Sequence, residues 1–252
     1  MEGPDGPYRI GCIDRTSYDL TFVMTELFLA VAVFLLTHSL PAARPLRARL
    51  VAAIGRGPYL VGYSILSLAV LTWVALAYAR APYVPVWDYR GWAAWVPLLT
   101  MPMACVLGVG ALMVPNPLSV AVRRRGYDPA RPGLLAITRH PLIWAFILWA
   151  GGHLIANEDL ASTVLFGLLL ALSLAGPFGV DAKARRALGE AEWQRLSAPT
   201  SNWPFSAVLR RRVRLRDAWP GWGPVLGGVL VYAALLHLHG PVIGVIPWAG
   251  VL

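Results

Sequence analysis

The segment PLIWAFILWAGGHLIAN, residues 141–157, decides the fold class of this chain. It carries no acidic or basic side chain other than one histidine, and its length is near the ~20 residues that a helix needs to cross ~30 Å of hydrocarbon. Five more apolar runs of this kind are 20–40, 59–79, 92–114, 160–180 and 222–238. Because 57% of the residues are hydrophobic and 14% are charged, the sequence predicts an all-α, polytopic transmembrane bundle of about six spans.

The two ends of the chain are predicted to differ from this bundle. Residues 1–20 are polar and lack the basic region of a signal peptide, so we expect a short polar tail before one transmembrane domain, 21–252. Met24 is an alternative start of translation. Gly240 and Pro241 are expected to stop the last helix, and the remaining tail is too short to cross again.

The arginines predict the orientation of the spans. Basic residues concentrate in three connections, at 44–56, at 123–131 and at 181–218, which we therefore place on the cytoplasmic side. The alternate side carries Glu158 and Asp159 and an uncharged C-terminus. Both termini are then expected on the outer, periplasmic side.

The net charge of +9 suggests either a nucleic acid or an anionic membrane surface as partner. Five arginines lie in the run 209–216, but this run adjoins a span and has no interleaved aromatic residues that would stack on bases. Membrane lipids are therefore the expected partner, and no nucleic acid is expected.

The two cysteines give no support to a cysteine-based site. Cys12 and Cys105 lie far apart and form no C-x-x-C or C-x-x-C-H pattern. This argues against a disulfide framework, a cysteine zinc site and covalently attached haem, so that any haem would be bound non-covalently.

Histidines inside apolar segments are the candidate functional residues, because an imidazole in hydrocarbon needs a polar partner or a metal. His153 has Trp149 one turn before it and Asn157 one turn after it, and with Phe146 these residues share one helix face. We expect that face to point inward and His153 to be a ligand. The alternative is a histidine that only hydrogen-bonds to a neighbouring helix.

Two other spans end in histidines. His38 closes the first span before Pro41, either as a ligand or as an interfacial residue bonded to the last carbonyls of its helix. His237 and His239 are two residues apart and lie on nearly opposite helix faces, so only one of them can point into the bundle.

Arg139 and His140 directly precede Pro141, which suits the first turn of a helix. Pro141 also disfavours the helical conformation at His140, so the fourth span is predicted to begin there. The Arg139–His140 pair at the interface either holds carboxylates or phosphates, or serves as a topology anchor and helix cap.

Several motifs together resemble the NnrU family. These are LTHSLP at 36–41, GRGPY at 55–59, TRHP at 138–141, Trp149, HLIAN at 153–157, TSNWPF at 200–205 and HG at 239–240. That family includes the bacterial NnrU proteins associated with the nitric oxide response in denitrification, and the plant and cyanobacterial 15-cis-zeta-carotene isomerases. The resemblance covers nearly everything from Met24 to Pro247.

The resemblance implies a non-covalent haem b, a bacterial inner-membrane location and, in the isomerase branch, a redox-gated cis-to-trans isomerisation of a lipid-soluble polyene. The family's axial ligands match His38 and His153, and His140 falls at another of its histidine positions. Where the isomerase carries a cysteine, this chain has Ala150, so a switch to a thiolate ligand is not expected here. The sequence does not choose between isomerase and nitric oxide response, and it identifies no redox partner.

Depth along the helices suggests a different pairing of the histidines. Thirteen residues of helix would place His153 about 20 Å above His140, whereas His38 ends its span near the inner face. On depth alone, the pairs are His38 with His140 and His153 with His239. We nevertheless keep His38 and His153 as the metal ligands, because the resemblance implies them position by position, and His239 is the rival. The other candidate cofactor contacts are Arg139, His140, Trp149 and Asn157.

A second class of function is a membrane methyltransferase. TRHP at 138–141, followed by LGEAEW at 188–193, is also similar to isoprenylcysteine-type methyltransferases, in which such segments surround S-adenosylmethionine. Those chains usually end soon afterwards, whereas this one adds a sixth span with two histidines. A purely scaffolding role is a third possibility, and it leaves the intramembrane histidines without an explanation.

Overall fold

The computed structural model describes residues 20–39 and 44–248, which are helices and connections without a β-strand. This confirms the all-α class. The α-helices in these ranges are α1 (Leu20–Ser39), α2 (Arg44–Ile54), α3 (Arg56–Arg80), α4 (Trp95–Met113), α5 (Leu134–Ile137), α6 (Pro141–Ala156), α7 (Leu160–Leu188), α8 (Glu190–Ser197), α9 (Ser206–Leu209) and α10 (Trp222–Ile243).

Each of the six predicted apolar segments forms a helix. Four helical stretches are long and apolar enough to cross a membrane, namely Arg56–Arg80, Gly91–Met113, Leu160–Leu188 and Trp222–Ile243. Two shorter apolar stretches are Met24–His38 and Pro141–Ala156. The chain is therefore a multi-pass membrane protein, while six crossings and two outer termini stay predictions.

The chain divides into two compact units. The described part of the amino-terminal unit is 20–39, 44–87 and 159–165, and that of the main unit is 88–158 and 166–248. In the amino-terminal unit, α1 and α2 both pack against α3. The main unit is built on α4, which packs against α6 and α10.

Asp159 fixes the beginning of α7 within the amino-terminal unit. Its carboxylate accepts hydrogen bonds from the backbone N–H of Ser162 (3.0 Å) and from the Ser162 hydroxyl (2.6 Å). A carboxylate at this position satisfies N–H groups that lack a partner at a helix start. The Ser162 hydroxyl also lies 2.8 Å from the Tyr78 hydroxyl, which links the start of α7 to α3.

Glycines allow the helices of the main unit to pack closely. A Cβ on Gly152 of α6 would lie 3.3 Å from the Cα of Pro97 in α4. A Cβ on Gly228 of α10 would lie 2.6 Å from the Cα of Val106, also in α4. Small residues at such crossings let two backbones approach closely, as is common between membrane helices. The space beside Gly152 is thus occupied by α4.

Two predicted helix ends are wrong. α7 continues to Leu188 instead of ending near Val180, because residues 181–188 are mostly strong helix formers; Gly189, with φ 79°, follows its end. α10 continues through Gly240 and Pro241 to Ile243. Gly240 has no Cβ to clash with the proline ring, so it keeps a helical conformation. Gly244, with φ 83°, ends the helix instead.

Some expectations fall outside the described residues. These are the polar tail 1–20 except its last residue, the helix stop at Pro41, the state of Cys12 and the last residues of the C-terminal tail. Cys105 is described, and it is a buried free thiol in α4.

We predict that Gly228→Ala destabilises the protein by about 1–3 kcal/mol, because the added methyl group overlaps the α4 backbone. Gly179 of α7 is the matched control, since a Cβ there would have no neighbour within 4 Å. Gly179→Ala should leave the unfolding temperature unchanged or raise it slightly. Thermal unfolding of the purified protein in detergent compares the two, and equal midpoints would contradict the close packing of α10 on α4.

Candidate functional site

Two histidines from different helices lie side by side in the main unit. The ring centroids of His153, on α6, and His239, on α10, are 6.5 Å apart, and the ring planes differ by 21°. The structure thus brings together one of the two pairs that depth along the helices predicts; the pairing of His38 with His140 stays a prediction. His237, two residues before His239, is exposed, which confirms that only one of these two histidines faces the bundle.

Hydrogen bonds to backbone carbonyls orient both rings. His153 Nδ1 lies 2.8 Å from the Trp149 carbonyl, and His239 Nδ1 lies 2.8 Å from the Val245 carbonyl. A carbonyl oxygen only accepts, so Nδ1 must be the protonated nitrogen, and in a neutral ring Nε2 then carries the lone pair. Histidines that ligate metals are held in this way, with the second nitrogen bonded to a carbonyl or carboxylate.

Aromatic side chains surround His153. Its ring centroid lies 5.9 Å from that of Trp149 and 5.2 Å from that of Phe166 of α7. Trp149 thus contacts the ring, as predicted. The Asn157 amide instead donates to the backbone carbonyl of His153 at 2.6 Å, so Asn157 caps the end of α6 and does not orient the imidazole. Phe146 is 49% exposed, and the predicted inward face is therefore wrong at this position, because an apolar side chain is as stable against lipid as against another helix.

His38 belongs to the amino-terminal unit, and its Nδ1 also bonds to a backbone carbonyl. Its Nδ1 lies 2.9 Å from the Phe34 carbonyl, one turn earlier in α1, and its Nε2 lies 3.2 Å from the Ser67 hydroxyl of α3. The hydroxyl therefore donates to the lone pair that a metal would use. His38 bonds a carbonyl near its helix end, as one sequence interpretation predicts, and its pairing with His153 stays a prediction.

His140 lies in a polar cluster at the other end of α6. It is the residue that precedes the helix, which begins at Pro141 as predicted. The fully buried ring has Nδ1 2.8 Å from the Ser119 hydroxyl. Its Nε2 lies 3.0 Å from Asp181 Oδ1, although the two atoms are poorly aligned for a hydrogen bond. Both ring nitrogens thus face protein groups.

Arg139 is the centre of this cluster. Its guanidinium donates to Asp181 Oδ2 at 2.9 Å and to the Thr200 hydroxyl at 3.2 Å, and it lies 5.0 Å above the Trp193 ring. Burial lowers the pKa of Arg139, and the adjacent Asp181 carboxylate opposes that shift. The buried guanidinium is therefore balanced by a charged partner and a π face.

The partners of Arg139 and His140 are not predicted as site residues by the sequence. Asp181 lies 42 positions from Arg139, on a helix that the hydropathy pattern ends near Val180. Ser119 and Thr200 lie in connections whose paths the sequence leaves undefined. The TSNWPF motif at 200–205 is the sequence signal that points to this region. In the structure, the Thr138 hydroxyl and the Trp144 indole both donate to the carbonyl of its Asn202.

A cavity of about 560 Å³ lies beside the cluster. We call it the Arg139 cavity, and its lining residues are Arg139, Phe178, Asp181, Ala182, Arg185, Arg186 and Trp193. In the described ranges, no three histidine, cysteine, aspartate or glutamate side chains converge as a metal-binding group.

The fold and the two clusters define a helical membrane protein with paired histidines between helices and a charged cluster at the helix ends. The chain matches the family model described as NnrU protein over residues 26–247, and it belongs to the NnrU family. No curated protein and no solved structure matches the chain.

We predict that Asp181→Asn destabilises the protein by about 2–3 kcal/mol, because it leaves the largely buried Arg139 without its counter-charge; fully buried pairs cost about 3–5 kcal/mol. Asp128→Asn is the matched control, since Asp128 pairs with Arg131 on the exposed surface and such pairs contribute little. Thermal unfolding measures both variants. If Asp181→Asn unfolds at the wild-type temperature, Arg139 does not depend on this carboxylate.

Proposed function

We propose that this NnrU-family protein binds haem b non-covalently and uses His153 as an axial ligand. The observation that supports this most is the joint orientation of His153 and His239, whose Nδ1 atoms both bond to backbone carbonyls. Each neutral ring then carries its lone pair on Nε2, which bonds to no group in the described ranges, and this lone pair is the donor that haem iron takes from histidine.

The distance between the two rings supports His239 as the second ligand. Imidazoles bind metals through bonds of about 2 Å, and ring centroids 6.5 Å apart would allow His153 and His239 to hold the same group. His38, which the family resemblance implies, is the other candidate, and it would first have to give up its Ser67 hydrogen bond.

The residues around His153 suit a reaction kept away from water. Trp149 and Phe166 flank the imidazole, and α6 and α10 are apolar over most of their length. A lipid-soluble substrate would reach such a site through the bilayer. Residue 150, where the isomerases carry a cysteine, is a fully buried alanine. Because alanine has no sulfur atom, it offers no thiolate at that position.

Bound haem b would supply a redox-active iron. Within the family, such a site fits either a cis–trans isomerisation of a zeta-carotene-type polyene or a part in the nitric oxide response of denitrification. In this proposal the protein lies in the inner membrane of a bacterium, with its basic connections facing the cytoplasm. Whether the protein is an enzyme thus depends on whether its ligand is a polyene substrate or nitric oxide, and in both cases histidines would hold the haem.

We predict that His153→Ala reduces the haem content of the purified protein at least tenfold, because it removes the ligand common to both pairings. His239→Ala and His38→Ala identify the second ligand, since only the ligating residue should shift the Soret band. His237→Ala is the matched control on the exposed face of α10 and should keep full haem content. A pyridine haemochrome assay with an absorption spectrum measures all four variants.

A colourless wild-type protein after expression with ample haem would contradict the cofactor assignment. Unchanged haem content in both His38→Ala and His239→Ala would instead indicate a single axial histidine. Thermal stabilisation by S-adenosylmethionine, without haem, would favour the methyltransferase class.

A further inference from the structure

We propose that the Arg139 cavity is a binding site for a phosphate group carried by an amphiphile, such as a phosphomonoester head group. This site is separate from the histidine pair, because the thirteen residues from His140 to His153 extend about 20 Å along α6. The inference therefore does not depend on haem binding.

An unused donor of Arg139 is the first observation. Its Nε is buried and has no hydrogen-bond partner, while its terminal nitrogens bond to Asp181 and Thr200. A buried N–H without a partner costs free energy, and a small shift of the Arg139 side chain, which lines the cavity, would let an acceptor bound there recover it. A phosphate oxygen is such an acceptor, and arginine is the residue that binds phosphate most often through its planar donor fork.

The charges on the cavity wall favour an anion. Asp181 is paired with Arg139 through Oδ2, and its Oδ1 lies 3.0 Å from His140 Nε2 without an aligned hydrogen bond. Arg185 donates to both carboxylate oxygens of Glu190 at 2.5 Å. Across the described parts of the chain, Arg186 has no acidic partner within ion-pair distance. After these pairs cancel, one positive charge remains on the wall, together with the free Arg139 donor.

The apolar side chains of the cavity wall indicate that the phosphate carries an apolar chain. Phe178, which is 69% exposed, lies on α7 where the helix is still apolar, and Trp193 also lines the cavity, beside the Arg139 guanidinium. The volume of about 560 Å³ lies within the ~300–1,000 Å³ of small-molecule sites. A phosphate with an attached acyl or isoprenoid chain would place its head on the arginines and its chain along Phe178.

The test is a native mass-spectrometry titration of the full chain in a neutral detergent. Dioleoyl phosphatidic acid carries a phosphomonoester, and dioleoyl phosphatidylcholine is the matched lipid without it. We expect the 1:1 complex with phosphatidic acid to form about tenfold more tightly, since one charge-assisted contact contributes roughly a factor of ten. Arg186→Gln should remove that preference.

Arg125→Gln is the matched control, because it removes one exposed positive charge from another basic connection and should change the affinity less than about twofold. Inorganic phosphate distinguishes the sources of the ligand. If millimolar phosphate displaces phosphatidic acid and raises the unfolding temperature, the site also accepts a soluble phosphate; if it does neither, the site needs the lipid. Equal binding of the two lipids without any effect of phosphate, or equal losses in Arg186→Gln and Arg125→Gln, would overturn the proposal.

Discussion

The ion pair between Arg139 and Asp181 is the contact on which the charged end of the main unit depends. It joins the residues before α6 to the charged part of α7, and Thr200 and Trp193 bring the following connection onto the same guanidinium. A largely buried guanidinium is stable only with such partners, because its desolvation must be offset by charge and hydrogen bonds. The backbone agrees with this, since Arg139 N–H also donates to the Ser201 carbonyl.

The histidine pair follows the same principle in a different setting. Apolar helices offer an imidazole few acceptors, so the Nδ1 protons of His153 and His239 bond to backbone carbonyls at 2.8 Å. His140, in contrast, has a hydroxyl and a carboxylate beside its two nitrogens. Nδ1 of His153 and of His239 is thus held by a backbone carbonyl, whereas side chains of a polar cluster face both nitrogens of His140.

The sequence predicts the helices better than it predicts their partners. The apolar runs locate every long helix, because the bilayer sets both length and polarity. They do not locate helix ends: α7 continues over charged helix formers, and α10 passes through Pro241. The proximity of His153 and His239 could be predicted from rise per residue, whereas Asp181 could not be assigned to Arg139, because nothing local in the sequence relates two residues so far apart.

The length of α7 has a mechanical consequence. Its 29 residues extend about 43 Å, whereas the hydrocarbon layer is ~30 Å thick. An untilted α7 therefore reaches about 13 Å beyond the acyl chains, into the layer of lipid head groups. Asp181 lies near this protruding end of α7, so a helix and not a loop sets the distance between the Arg139 guanidinium and the hydrocarbon layer.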